Sequence, residues 1–425
     1  MLHGPITETQ MPPRPLCLPL ALCLSLATVL PASAQTDTPF TATQIDAADY
    51  AGGDLPAGRS ALTAKVQVLL DRSGSSPGVI DGFRGAMSRS AIMAFERRSG
   101  LPIDGAMDPH VWNLLQSFAG PSVTMAYTIT GEDTEGLVAS IPGDYAEKAK
   151  MSSMGYTSLA EKLGERFHMD EKFIAFLNPG IALQPGATIS VTAPTAPIRG
   201  EVTRIIIDKA TRRVAAFNAK GRMVVDYPAT IGSSATPSPT GTHKVVTVAM
   251  NPNYTYNPQR NFQQGQNDRP LIVPPGPNGP VGTVWIDLSK PSYGIHGTPT
   301  PSQLFSNQSY GCVRLTNWDA QELAGLVRGG VTTVEFLEPG VSIADAMRAP
   351  AAAPVAEPLA TAAAAVQPET TTSAPATDAA THAAPEEGPE AATNLLAPPS
   401  GDALSDALSN ILPDDFAASP EGEGQ

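Results

Sequence analysis

From Gly200 onward the apolar residues of this chain stop recurring at helical spacing and begin to alternate or run together. Val202 to Ile207, Val214 to Phe217, Met223 to Val225, Lys244 to Val248 and Thr283 to Leu288 are short segments of that kind, the pattern of strands with one or both faces buried. Asn218-Ala-Lys-Gly221 supplies turn chemistry between two of them. The spacing predicts a mainly antiparallel β domain, β-sandwich-like, over residues 200–338. Near its end a helix is expected, begun by Thr316 or Asn317, buried through Leu323, Leu326 and Val327, and stopped by Gly329-Gly330.

Inside this domain the stretch Tyr293 to Leu315 holds Cys312, the only cysteine beyond the first 25 residues. A thiol at its ordinary pKa is mostly protonated at neutral pH, so a cysteine nucleophile needs a histidine or another positive field beside it. His296 lies sixteen residues upstream. If Tyr293 to Gly297 and Gly311 to Leu315 are paired strand ends joined by the polar loop between them, imidazole and sulfur come within hydrogen-bond reach. Alternation puts Cys312 and Arg314 on one face and turns Val313 and Leu315 into a core. A guanidinium there favours thiolate and can hold a substrate carboxylate. Gly311 lets the backbone come close or take positive φ, and the amides around it are candidates for an oxyanion hole. The competing reading of Cys312 is an inert, buried cysteine packed as a small hydrophobe; the company of His296, Gly311 and Arg314 weighs against it.

His296-Gly-Thr and Ser309-Tyr-Gly-Cys-Val-Arg-Leu315 resemble the signature of the L,D-transpeptidases, bacterial cell-wall enzymes with a cysteine nucleophile. Thr236-Pro-Ser-Pro-Thr-Gly-Thr242 and Pro274-Pro-Gly-Pro-Asn-Gly-Pro-Val-Gly282 look like that family's approach segments, which extends the resemblance from Gly200 to Glu338. One departure is Tyr310, where many members carry a second histidine. The resemblance implies His296 as base and Cys312 as nucleophile, attacking a tetrapeptide stem, releasing D-Ala and leaving a thioester that an amine resolves. It implies substrate or oxyanion contacts at Gly311, Ser309, Arg314, Tyr310 and Gly297. It calls for no metal and no cofactor, and the partners it implies are peptidoglycan glycan strands and stem peptides. A cysteine peptidase or amidase, in which water replaces the amine, and a non-catalytic wall-binding protein are the alternatives. His243 stands where the family has a bulky residue and reads as a packing substitute.

At the other end, the first ten residues contain no Lys or Arg, whereas Met11-Pro-Pro-Arg14 precedes the apolar run Leu16 to Leu30 and the small-residue site Ala32-Ser33-Ala34. Residues 1–34 therefore read as a secretory signal starting at Met11 and cleaved before Gln35. A membrane anchor is the competing reading, but a fifteen-residue run containing Pro19 is shorter than the roughly 20 residues needed to span. Lipid attachment at Cys23 is disfavoured by Leu22 in the preceding place. Cleavage leaves Cys312 as the sole cysteine of an exported, periplasmic protein, and a lone thiol in an oxidising compartment needs a reason such as catalysis.

Residues 35–60 read as a linker. In 61–119, Val66, Leu69 and Leu70, then Ala91, Ile92 and Phe95, then Val111, Trp112 and Leu115 fall at helical spacing. Ile80-Asp-Gly82 recurs between these helices as Ile103-Asp-Gly105, each Asp-Gly making a tight turn. The region resembles the three-helix peptidoglycan-binding domain often attached to cell-wall enzymes. No Asp-x-Asp-x-Asp run accompanies the turns, so a calcium loop is not indicated, and His110 reads as a surface residue at a helix start.

In 120–195, Ser158-Leu-Ala-Glu161 is a capping box opening a helix through Phe167, Asp170 caps a second through Leu177, and Ala187 to Val191 is a strand. The order resembles a LysM module, a small α+β glycan-binding unit, with an unusually long insertion after a strand near Met125 to Ile129. A helical linker packed on the catalytic domain is the competing reading, and His168 reads as structural.

Residues 349–425 hold twelve of the 41 acidic residues and no Lys or Arg, which leaves 29 acidic against 27 basic in the rest. The net charge of −14 thus belongs almost wholly to an Ala- and Pro-rich tail with the composition of a disordered segment. A near-neutral folded part argues against nucleic acid as a partner. Leu404, Leu408, Ile411 and Leu412 repeat at helical spacing in Asp402 to Phe416, a candidate for folding on a partner protein.

Overall fold

A computed structural model describes residues 39–259 and 262–348. The segment read as a signal, 1–34, and the tail 349–425 lie outside the described residues.

The amino-terminal part begins with helix α1 (Ala42–Ala47), which sits in the stretch read as a linker. Ile45 is fully buried, and Asp46 Oδ1 accepts from the Val123 and Thr124 amides at 2.8 and 3.0 Å. The linker reading is therefore corrected: one buried isoleucine was too weak a periodic signal to announce six helical residues capped by Thr41. Helices α2 (Ala61–Arg72), α3 (Ala86–Ser99) and α4 (Pro109–Leu115) follow, the last capped by Asp108 with Pro109 in its first turn. The repeated Asp-Gly turns have matching causes. Gln67 Oε1 on α2 accepts from the Asp81 and Gly82 amides, and Glu96 Oε2 on α3 accepts from the Asp104 and Gly105 amides, all within 3.1 Å. Gly82 and Gly105 both take positive φ, at 73° and 71°.

Strand β1 (Thr124–Thr128) pairs antiparallel with β2 (Thr188–Thr192), and between them lie α5 (Tyr145–Lys148), α6 (Leu159–Arg166) and α7 (Glu171–Leu177). Ser158 and Asp170 cap α6 and α7 as their sequence suggests. The reciprocal half of the expected capping box shifts by one residue, Glu161 Oε2 accepting from the Thr157 amide at 2.6 Å. This unit and the three-helix region share one core, in which Val66 and Phe95 join Phe173, Ile189 and Val191. The Arg72 guanidinium sews the seam, donating to the carbonyls of Phe118, Ala119, Ser122 and Ala193.

The carboxy-terminal part is built on one sheet of eight strands: β3 (Arg204–Asp208), β4 (Arg213–Phe217), β5 (Met223–Pro228), β6 (Gly241–Met250), β9 (Val284–Leu288), β10 (Gly294–His296), β11 (Val313–Arg314) and β12 (Thr333–Phe336), with β7 (Tyr254–Tyr256) and β8 (Leu271–Val273) forming a separate hairpin. The sheet runs β11-β10-β9-β6-β12-β3-β4-β5. Pairs β12·β3 and β10·β11 are parallel and the rest antiparallel. It is a single sheet rather than the two stacked sheets of a sandwich. It curls, so that Ile205, Val214 and Val225 from one end share a core with Ile286, Ile295 and Val313 from the other.

Helix α8 (Asn317–Leu326), capped by Thr316, covers this core with Ala320, Leu323 and Leu326. It ends before the two glycines, at Val327, whose extended backbone already breaks the helix while its amide still bonds to Leu323. Helix α9 (Ile343–Arg348) closes the far side. The two parts of the chain are joined through charge. Arg97 of α3 and Arg213 of β4 both donate to the buried Asp226 carboxylate, at 2.6 and 2.7 Å.

Candidate active site

Cys312 immediately precedes β11, and β11 pairs with β10 in parallel register, Ile295 against Val313 and His296 against Arg314. The hairpin implied by a short connection does not form, because the loop of 297–312 crosses over and returns in the same direction. Paired residues share a sheet face, so Cys312, Arg314 and His296 lie on one face while Val313, Leu315 and Ile295 enter the core. His296 and Cys312 are thus diagonal neighbours across this pair.

His296 Nδ1 lies 2.7 Å from the Gly297 carbonyl, which can only accept. Its proton is therefore on Nδ1, and Nε2 keeps the lone pair of a base. The ring stacks against Trp285 at 5.6 Å. Gly297 is fixed in turn by Asn317, since a Cβ at Gly297 would come within 2.0 Å of Asn317 Oδ1.

The thiol accepts from the Gly294 amide at 3.2 Å. Ser309 Oγ donates to the Cys312 carbonyl at 2.5 Å and accepts from the Gly311 amide at 3.1 Å. Gly311 sits at φ 118°, with the Tyr293 ring 2.6 Å from where a Cβ would be. Its own amide is thus engaged by Ser309. Tyr310 is stacked on Phe262 at 5.6 Å and 7° and takes the place expected of a second histidine.

Cys312, His296 and Arg314 are each 1% exposed. Burial pushes the thiol up to about 12, with the Gly294 amide and the Arg314 guanidinium only partly opposing it. Burial also drives the imidazole down to about 3, and Arg314 adds to that. The resting pair is therefore neutral thiol and neutral imidazole. The guanidinium favours thiolate as expected, but desolvation outweighs it.

The other described histidines stand elsewhere. His110 is an exposed residue of α4, and His243 packs edge-on to Phe336 at 6.0 Å. His168 takes positive φ, bonds to Asp71 at 3.0 Å and stacks on Trp318 at 5.1 Å, a contact between the two parts of the chain. Among the described residues no group of His, Cys, Asp and Glu could hold a metal ion. Tyr254 and Trp285, which wall the thiol, were missed by sequence reasoning; an aromatic on a short strand reads as core, and only the register reveals which face it lines.

Comparison with known proteins bears on this arrangement. Residues 202–336 match the L,D-transpeptidase catalytic domain, and residues 59–115 match a peptidoglycan binding domain. A protein of Bacillus subtilis named as an L,D-transpeptidase, YkuD, is 31% identical over 158 residues, covering 37% of this chain and 81% of that one. The chain belongs to the L,D-transpeptidase family. Another relative carrying that name, YbiS of Escherichia coli, is 28% identical over 194 residues, 44% of this chain and 62% of its own. A solved L,D-transpeptidase structure from Xylanimonas cellulosilytica aligns with 68% of this chain and all of its own at 15% identity and a TM-score of 0.31. The catalytic domain of this transpeptidase is thus the curled sheet, and Cys312 and His296 lie within its matched span.

Proposed function

We propose that this L,D-transpeptidase uses Cys312 as nucleophile and His296 as base on peptidoglycan tetrapeptide stems. The supporting observation is the Nδ1 proton of His296, held by the Gly297 carbonyl at 2.7 Å on the face shared with Cys312. Nε2 takes the Sγ proton as sulfur bonds to the carbonyl carbon between the third residue, a diamino acid, and the terminal D-Ala. The tetrahedral intermediate collapses, the imidazolium returns its proton to the leaving amine, and D-Ala departs from a thioester. An acceptor amine then attacks, His296 removes its proton, and the thiol is regenerated with an amide linking the third residues of two stems.

With the Gly311 amide engaged by Ser309, the Cys312 amide is the better candidate for the oxyanion. Arg314 is a candidate partner for a stem carboxylate, Tyr310 lines the entrance, and Ser309 and Gly297 position the nucleophile loop and the base. The unit of β1, α6, α7 and β2 is read as a LysM-like glycan-binding module, supported by its antiparallel strand pair flanking two capped helices. Together with the peptidoglycan-binding region it would hold glycan strands while the sheet domain works on their stems. The reading implies a periplasmic location reached through the 1–34 signal; among the described residues no helix is long and apolar enough to cross a membrane.

Mass spectrometry of a disaccharide-tetrapeptide incubated with the protein tests the reading. A dimer joined third residue to third residue, absent with Cys312→Ala, is expected. A shortened tripeptide alone would mean that water is the acceptor and would favour a peptidase.

A further inference from the structure

After Ile129, whose amide and carbonyl still bond to Ala187 and Gly186, the chain makes a long excursion, 130–157, between β1 and α6. It crosses to the catalytic domain. Tyr145 on α5 is fully buried there, its ring 4.7 Å from Tyr256, 5.8 Å from Tyr254 and 5.8 Å from Phe262. Tyr145 and Met154 belong to one buried cluster with Tyr254, Trp285 and Cys312. Polar contacts fasten the segment. Gln264 Oε1 accepts from the Tyr145 amide at 2.8 Å, and Gln264 Nε2 donates to the Gly143 carbonyl at 3.0 Å. Asn267 donates to Asp144 at 2.9 Å. Met154 exchanges backbone hydrogen bonds with Pro275 and Asn278, both 2.9 Å, so closely that a Cβ at Gly276 would meet the Met154 carbonyl at 2.2 Å.

A thiol that is 1% exposed cannot receive the carbonyl of a stem peptide. Something above it has to move. Trp285 and Gly294 sit on β9 and β10 inside the sheet, where movement breaks ladder hydrogen bonds. The 137–155 stretch of the excursion carries only a four-residue helix of its own and is held at its rim by half-buried and exposed side chains, the profile of a segment that opens below the cost of global unfolding. We propose that residues 137–155 are an autoinhibitory strap, anchored by Tyr145 and Met154, that keeps Cys312 closed to the donor stem until it is displaced. Burial under the strap also keeps the thiol protonated, so the covered enzyme is chemically silent as well as blocked. The strap belongs to the amino-terminal unit, so that unit controls access to the nucleophile as well as holding substrate.

The test is the rate of iodoacetamide alkylation at Cys312 in the full protein, read by peptide mass mapping. This needs no turnover, so it stands apart from the transpeptidase assay: a stem-processing failure with a slow, strap-dependent thiol would sink the proposed residue roles and leave the strap. The expected result is a wild-type rate at least about 100-fold below that in urea, a rise of about tenfold or more in Tyr145→Ala, and a rise of about threefold in Gln264→Ala, with thermal transitions still well above the assay temperature. Gln264 lies at the rim and its loss leaves the core intact, so a wild-type rate in Gln264→Ala overturns the proposal even if Tyr145→Ala does not fold. A wild-type thiol that reacts as fast as the unfolded one overturns it as well.

Discussion

Asn317 Nδ2 donates to Glu165 Oε1 at 2.7 Å, so the residue that opens helix α8, just past the nucleophile, is held by helix α6 of the amino-terminal unit. Its Oδ1 accepts from the Thr283 amide at 3.2 Å and is wedged against Gly282 and Gly297. Asn317→Ala removes the wedge and leaves a half-buried carboxyl and a buried amide short of a partner. A loss of about 1–3 kcal/mol in stability is expected. Because the Gly297 carbonyl orients His296, kcat/KM measured well below the melting temperature should also fall by about tenfold or more. A full melting shift with wild-type kcat/KM would show that Asn317 supports the fold without positioning the base.

Glu165 itself gives a pH signature. Burial pushes its carboxyl up to about 8, with the bonds from Asn317 and Tyr156 only partly opposing. In the unfolded chain it ionises near 4.5, so its protonated form favours the folded state fully below that pH, and the contribution is lost as pH rises through 8. Glu165→Gln keeps the shape and cannot ionise. Its denaturation midpoint should decline less than the wild type's between pH 5 and 8.5, by a few kcal/mol in stability. Parallel curves for the two proteins would contradict the assignment.

Much of this site was legible before the fold. Alternation placed Cys312 with Arg314 and sent Val313 and Leu315 inward, and turn glycines marked the nucleophile loop. Strand direction was not legible: periodicity says which face a residue occupies but not whether a loop of this length reverses the chain, and β10·β11 is parallel. The hairpin of β7 and β8, three residues each, is too short for a pattern to register. Least legible was the excursion carrying Tyr145. Its burial depends on Tyr254 and Tyr256, more than a hundred residues away, so a local reading finds only an insertion.

Ser309 bridges the loop by donating to Cys312 and accepting from Gly311. Ser309→Ala should lower kcat/KM by about tenfold to 100-fold through a displaced nucleophile, while stability falls by only about 1–2 kcal/mol. Ser309→Thr, which keeps the hydroxyl, should recover part of the loss. If the threonine variant is no better than the alanine one, the hydroxyl is not what positions Cys312.

Asp226 is buried between Arg97 and Arg213, which hold its carboxyl below the usual range against the opposing effect of burial. Asp226→Ala strands two guanidinium groups and is expected to destabilise the protein by about 3–5 kcal/mol, read from urea midpoints. Arg97→Ala removes only the partner from helix α3 and should cost less. Equal losses would mean that the contact between the two parts carries the whole effect.

The most direct test is the intact mass of the protein after incubation with a tetrapeptide donor, long enough for the strap to open, with no acceptor amine present. The account predicts an adduct equal to the donor less D-Ala, mapped to Cys312, formed much more slowly in His296→Gln and absent in Cys312→Ala. An adduct that forms at the wild-type rate without His296, or that maps to any other residue, would contradict it.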